Sequence, residues 1–527
     1  MAFVFENQDR RVIPNWRSFR YTSAIGELDP SLIKKESVNM YNIEEYIEDW
    51  SENKTLIHAG DLMSAAISNS QINNPSAIEA ALYTKEHSRN ATAAQLLLAN
   101  NLTKTEKKDK EEKIVTKLDD ISFDCIATPD VIYRHINRLR NQIRSFPYNP
   151  ILYVEIARAY ISIGLEEKAK YMMNIALHLS SDNRFITRAA ARLYIHLNDF
   201  DQSHYILKKN QSLKFDPWLI ASEISVNLLR DRSSSNIKRG LEIIKSKNYH
   251  PFSISELSSS IGTIELIHGA NKKSRDLFNI SLQSPNDNSL AQAEWAFMHK
   301  LPIYIDREKF ANIKCDHEAK ALFSLQNLKY EEALIYTIDW IRDMQFTRRP
   351  IVLGSHIAYT HLKNYKVAAK ILEIGLASNP TDSLLLNNLA YTYALDNDIN
   401  NAEKCIESLD RLGEVNILPS TQLCITATKG LIAFRKKEIE KGRSLYQKAI
   451  DAAYLLAKES PTYYWKAVLN YIREELLSTS NFNEDLMNEL NKIKESPHDT
   501  EIKALKNDIV ELNKPVSYTH LRAHETS

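Results

Sequence analysis

Apolar and small residues recur along most of the chain at the three- and four-residue spacing that places side chains on one face of a helix. The clearest stretch shows this spacing twice, on either side of a glycine: Tyr153, Ile156, Ala157, Tyr160, Gly164, Ala169, Met173 and Ala176. The spacing predicts two helices joined by a turn at Gly164. Ala169, and Ala333 and Ala402 at the same place in later stretches, are predicted to be buried where the two helices cross.

This two-helix pattern returns at a fixed period. Pro217, Pro251 and Pro285 lie 34 residues apart, and proline is favoured at the first position of a helix. Similar stretches cover roughly residues 130 to 460 as about nine units, which is the mark of a helical-repeat array. Residues 289–312 match the pattern poorly.

The pattern of residues 153–176 resembles the tetratricopeptide repeat (TPR), which has aromatic, small and tyrosine positions on a first helix and alanine and large apolar positions on a second. The resemblance implies an all-α fold, a right-handed α-solenoid of TPR-like helical hairpins. It also implies that the first helices line a concave groove that binds a protein or peptide. Repeats of this type serve many unrelated partners, so the resemblance does not identify the partner.

The segments before the array do not fit the repeat. Residues 1–103 are predicted to form an irregular arm followed by a few helices. Residues 104–128 are rich in charges of both signs and are predicted to be a linker. The solenoid is predicted to occupy residues 129–460.

After the array, residues 461–514 are predicted to form capping helices, because a terminal repeat has to cover its open apolar face. An apolar stripe supports a last helix: Ile502, Leu505, Ile509 and Leu512. The start of a coiled coil is the alternative interpretation of that stripe. Residues 515–527 follow no repeat position and resemble a translated sequencing-adapter tail.

Composition limits the classes of function. The chain has 67 basic and 67 acidic residues, so its formal net charge is zero and it lacks an overall field that would attract nucleic acid or an anionic membrane. The chain starts without the apolar stretch of a secretory signal, and the sequence has no apolar run of the length that crosses a membrane. We therefore expect a cytoplasmic protein.

No catalytic or metal-binding motif is found in the sequence. The HExxH, GxSxG and P-loop patterns are absent, and the four cysteines are widely spaced with no CxxC pair. We therefore expect a non-catalytic interaction scaffold without cofactor or metal. An enzyme with its catalytic residues in the first hundred positions is a further alternative.

Three arginines are candidates for partner binding. Arg158, Arg188 and Arg192 occupy predicted groove positions on the first helices of two adjacent units. Because a guanidinium group forms two parallel bonds with a carboxylate, this end of the groove is predicted to bind an acidic peptide. Replacing Arg188 and Arg192 by alanine is then expected to leave stability unchanged. The alternative is that the arginines form ion pairs with nearby acids: Glu155, Glu166 or Glu167.

A second candidate group is neutral. Asn387, Asn388 and Tyr391 occupy predicted groove positions of a later unit. Their amide and hydroxyl groups are predicted to hydrogen-bond the backbone of an extended peptide.

Nucleic-acid binding is the alternative function. Basic residues cluster on the predicted helix 129–145, namely Arg134, His135, Arg138, Arg140 and Arg144. The N-terminal arm interleaves Arg10, Arg11, Arg17 and Arg20 with Trp16 and Phe19. Basic and aromatic residues in alternation suit a single-stranded nucleic acid, but the balanced total charge argues against this function.

Overall fold

The structure is a computed structural model that describes residues 43–68, 71, 73–103, 123, 126–311, 313, 315–413, 417–456, 461–479, 490 and 500–512. Every regular element among these residues is helical. The described residues therefore confirm the predicted all-α class. The arm residues Arg10 to Arg20, most of the predicted linker and the segment 515–527 lie outside the described residues.

The chain divides into two compact units, one within residues 7–350 and the other formed mainly by residues 351–527. The helices of the first unit are α1 (Ile43–Glu52), α2 (Leu56–Ser68), α3 (Pro75–Glu86), α4 (Ala93–Leu102), α5 (Pro129–Ser145), α6 (Pro150–Ile161), α7 (Glu166–Leu179), α8 (Arg184–His196), α9 (Phe200–Lys209), α10 (Pro217–Leu229), α11 (Ile237–Ser246), α12 (Pro251–Ile267), α13 (Asn271–Ser281), α14 (Asp287–Met298), α15 (His317–Gln326) and α16 (Tyr330–Asp343). A short 3₁₀ helix, Gln211–Lys214, precedes α10.

The helix α17 (Arg348–His356) contains the division and continues as a π-helical turn, Ile357–His361. The remaining helices of the second unit are α18 (Tyr365–Ser378), α19 (Ser383–Leu395), α20 (Ile399–Leu412), α21 (Pro419–Arg435), α22 (Ile439–Leu456), α23 (Pro461–Thr479) and α24 (Thr500–Leu512).

Within each unit, consecutive helices pair as TPR-like hairpins. Helix α6 packs on α7, α12 on α13 and α21 on α22. Ala169, Ala333 and Ala402 are fully buried, which confirms the predicted small-residue positions. A larger side chain at these positions would push the two helices apart.

Sequence signals set the ends of these helices. Pro150 and Pro217 occupy the first turn of α6 and α10, and the side chains of Asn149 and Asp216 accept bonds from the next free backbone N–H groups. The turn inside a hairpin contains a residue in the left-handed region, such as Gly164 at φ 70°. A residue with a positive φ reverses the chain there because it ends the helical hydrogen-bond pattern.

One hairpin is incomplete, as the poor match over residues 289–312 indicates. Helix α14 is regular, but the segment that follows it is largely irregular up to α15. The side chains of this segment nevertheless fill the place of a second helix with buried apolar groups: Leu301, Ile303, Ile305 and Phe310.

In the second unit, α24 packs on α23. Ile502, Leu505 and Ile509 are buried in one cluster with Leu469 and Ile472 of α23. The fourth position of the predicted stripe, Leu512, is 45% exposed. Among the described helices, none has the length and apolar character needed to cross a lipid bilayer.

Candidate functional site

A cavity of about 590 Å³ opens in the first unit between α5, α6 and the end of α16. Four arginines line it: Arg134 and Arg138 from α5, Arg158 from α6 and Arg342 from α16. The other lining residues are Ala127, Val131, Ile132, His135, Ala159, Ser162, Asp343, Gln345 and Phe346. We call this space the basic cavity. It has the size of a ligand pocket, with apolar walls and a few convergent polar groups.

Packing over a long sequence distance forms the basic cavity. The side-chain amide of Gln345 donates a 2.7 Å hydrogen bond to the backbone carbonyl of Ala127, 218 residues away. This bond joins the chain just after α16 to the chain just before α5. Arg342 thereby comes to line the same cavity as the arginines of the first helices.

His135 lies between two of the arginines. Burial, together with the charges of Arg158 and Arg138, lowers its pKa to about 4. The imidazole is therefore neutral at physiological pH. A guanidinium nitrogen of Arg138 lies 2.9 Å from Nδ1. Since arginine can only donate, Nδ1 accepts and Nε2 carries the proton.

Glu155 of α6 lies close enough to Arg158 and Arg138 for their charges to act on it. Desolvation raises the pKa of its carboxyl group to about 7, although the charges of Arg158 and Arg138 oppose the shift. Its Oε2 atom is buried without a hydrogen-bond partner. At neutral pH this group is close to half ionised, so it neutralises the arginines incompletely.

The opposite wall has its own carboxylates. Arg342 forms a 3.1 Å ion pair with Asp339, one turn earlier on α16, and its side chain stays 45% exposed. Asp343 lines the cavity beside it. Among the described residues of the cavity, four arginines therefore meet two aspartates, which leaves an excess of basic side chains.

Arg188, which was predicted to bind a ligand, is buried in an ion pair. It lies 2.9 Å from Glu256 of α12, and both side chains are almost completely buried. Asn286 donates a 2.7 Å bond to the other carboxylate oxygen of Glu256. The prediction is wrong for Arg188. Its partner carboxylate, Glu256, follows it by 68 positions, so the pattern of a single repeat does not predict the pair.

Arg192 is also buried. It donates a 3.0 Å hydrogen bond to the hydroxyl of Thr347, and its guanidinium lies 5.9 Å from the ring of Phe346. Phe346 in turn lines the basic cavity. Arg192 therefore supports the floor of the cavity and does not face a ligand. Of the three predicted arginines, Arg158 alone lines the cavity.

The neutral group in the second unit is buried as well. Asn387 and Asn388 have no exposed surface, and the Tyr391 hydroxyl donates a 2.9 Å hydrogen bond to Asn470 of α23. Burial raises the pKa of Tyr391 to about 12. These residues do not present a surface to a peptide, because all three are buried and Tyr391 is hydrogen-bonded to the chain's own helix α23.

The basic helix α5 divides its arginines between two roles. Arg134 and Arg138 line the cavity, whereas Arg140 donates bonds of 2.8 and 3.2 Å to the Tyr160 hydroxyl. Arg144 is exposed and lies 3.4 Å from the Asn141 side chain. The arginines of α5 therefore do not form one continuous basic surface.

Comparisons with known proteins give similar solved structures but no family. No protein-family model matches the chain, and neither does any curated protein. Yeast Tom70 is 12% identical over 73% of this chain and 94% of its own, with a TM-score of 0.31. The structure of Naa15/Naa10 bound to HypK-THB gives 12% identity over 87% of this chain and 89% of that chain, with a TM-score of 0.22. The assignment as a TPR-like helical-repeat protein rests on the hairpins and buried small residues of the chain itself.

Proposed function

We propose that this protein is a non-catalytic scaffold that binds an acidic segment of a partner protein in the basic cavity. The observation that carries the proposal is the convergence of Arg134, Arg138, Arg158 and Arg342 on one cavity. Guanidinium groups suit bidentate binding of carboxylates, and partial desolvation in a cavity strengthens such bonds relative to exposed ones. The apolar wall at Ile132 and Phe346 gives neighbouring side chains of the bound segment a place to pack.

The arrangement supports a peptide over nucleic acid. A nucleic acid needs a basic track along which several phosphates bind in succession. In α5, Arg140 is engaged with Tyr160, and the arginines that remain close together face a cavity. A cavity of about 590 Å³ accommodates one or a few side chains.

Peptide arrays test the proposal. We expect the full chain to bind peptides that contain several Asp or Glu residues and not their Asn and Gln counterparts. The variant Arg138→Ala/Arg158→Ala should lose this binding, whereas Arg144→Ala, which removes one positive charge from α5 outside the cavity, should keep it. Equal binding of acidic and neutral peptides, or equal loss in the control variant, would contradict the proposal.

A further inference from the structure

We propose that the basic cavity takes the phosphate group of a phosphorylated side chain, so that the segment bound there is a phosphopeptide. This inference rests on the proposed function and specifies the ligand of the same site. The charge of the cavity, its hydrogen-bond donors and the way those donors are held all support it.

The excess positive charge of the cavity fits a phosphate group. The cavity has four arginines against Asp343 on its wall and Asp339, the partner of Arg342. Among the residues that the structure describes there, the arginines exceed these two carboxylates by two charges, and the nearby Glu155 is incompletely ionised at neutral pH. A phosphomonoester carries a charge of about −1.5 to −2 at pH 7, whereas one Asp or Glu carries about −1. The phosphate group therefore matches the excess charge on a single side chain.

The hydrogen-bond donors of the cavity also fit a phosphate group. Arg134 and Arg138 lie one turn apart on α5, and Arg158 approaches from α6. Guanidinium forks from two helices suit the three terminal oxygens of a phosphate better than the two oxygens of a carboxylate. His135 adds a neutral donor, because its Nδ1 accepts from Arg138 and its Nε2 carries the proton.

Neighbouring side chains hold two of the arginine donors in position. Arg138 is fixed by its 2.9 Å contact with His135, and Arg342 by its 3.1 Å contact with Asp339. The 2.7 Å bond from Gln345 to Ala127 ties the two walls together. Donors that are already positioned lose less conformational entropy on binding, which favours a compact and highly charged ligand group.

Degenerate peptides with one fixed central residue provide the test. The fixed residue is phosphoserine, Glu or Ser, and fluorescence anisotropy measures binding to the full chain. We expect the phosphoserine pool to bind about tenfold or more tighter than the Glu pool, and the Ser pool to bind most weakly. Equal affinity for the phosphoserine and Glu pools would overturn the phosphate proposal and leave the acidic-peptide function standing. If neither the phosphoserine pool nor the Glu pool binds, both the phosphate proposal and the acidic-peptide function are overturned.

Two variants separate the fork from the charge. Arg138→Lys keeps the charge and loses the planar fork, so it should reduce the preference for phosphoserine over Glu. Arg144→Lys on the same helix should leave the preference unchanged. If Arg138→Lys also leaves it unchanged, the bidentate argument is wrong.

Competition experiments identify the source of the phosphate. A phosphoserine peptide should displace the labelled pool at lower concentration than either inorganic phosphate or a 5′-phosphorylated RNA oligonucleotide. More effective displacement by the RNA would assign the cavity to nucleic acid and overturn the proposal. ³¹P NMR gives an independent readout, because the charges of the arginines should lower the second pKa of the bound phosphoserine.

Discussion

Single residues show how a buried partner decides whether an arginine can bind a ligand. Arg158 and Arg188 lie on the first helices of adjacent repeats, yet one lines a cavity and the other pairs with Glu256. The side chain of Arg188 is held by a carboxylate with almost no exposed surface. Its removal would leave that carboxylate buried without its ion-pair partner, which is costly.

Arg188→Ala should destabilise the protein by about 3–5 kcal/mol, the usual range for breaking a buried ion pair. This result would be opposite to the sequence-based expectation of unchanged stability. Urea denaturation of the full chain measures the change, with Arg144→Ala as the exposed control. The double variant Arg188→Met/Glu256→Leu should recover much of the loss, since it removes both charges. A stable Arg188→Ala protein would show that the ion pair contributes little.

Glu155 gives stability a defined pH dependence. Its pKa is raised to about 7 in the folded protein by burial, so the folded state favours the protonated form. The stability this provides is fully present below the unfolded pKa of about 4.3 and is lost as pH rises through about 7. Glu155→Gln keeps a neutral side chain and should therefore stabilise the protein more at pH 8 than at pH 5, by up to about 3 kcal/mol. Thermal denaturation at both pH values checks this, and an equal effect at both would contradict the raised pKa.

At the scale of elements, helix α24 is part of the second unit's core. It shares a buried cluster with α23, and Lys466 of α23 forms a buried ion pair with Glu501 of α24. The helix is short, so in isolation it would be marginal and its stability comes from this packing. The apolar stripe predicted from sequence explains this contact, although the stripe alone does not say which helix it covers.

The variant Leu505→Ala/Ile509→Ala should destabilise the second unit by several kcal/mol, about 2–5 kcal/mol for each fully buried large-to-small change. Leu512→Ala is the matched control, because that side chain is 45% exposed. Hydrogen exchange should show faster exchange in α23 for the double variant and no change for the control. Similar exchange in both variants would mean that α24 does not support α23.

At the scale of the whole molecule, local pattern predicts the helices but not the distant contacts between them. The spacing of Ala169 and its equivalents predicts the crossings, because each crossing is settled within one hairpin. The contacts that decide the fate of Arg188, Arg192 and Gln345 join residues 68, 155 and 218 positions apart. They join parts of the chain that are not adjacent in sequence, so no single repeat predicts them.

The candidate site was accordingly predictable only in part. Arg158 was identified from its groove position, and Arg134 and Arg138 from the basic character of α5. Arg342, Gln345 and Phe346 had no local signal, because they line the cavity only through packing of the end of α16 near α5. Tyr391 was misassigned because its hydrogen-bond partner on α23, Asn470, follows it by 79 positions.

Site-specific photocrosslinking shows whether an acidic segment binds inside the basic cavity. A benzophenone side chain is placed at Val131, which lines the cavity and is 43% exposed, or at Tyr133, which is 49% exposed on the same helix and does not line it. We expect an acidic or phosphorylated peptide pool to crosslink efficiently from position 131 and weakly from position 133. Crosslinking from position 133 at an equal or higher yield would contradict binding inside the cavity.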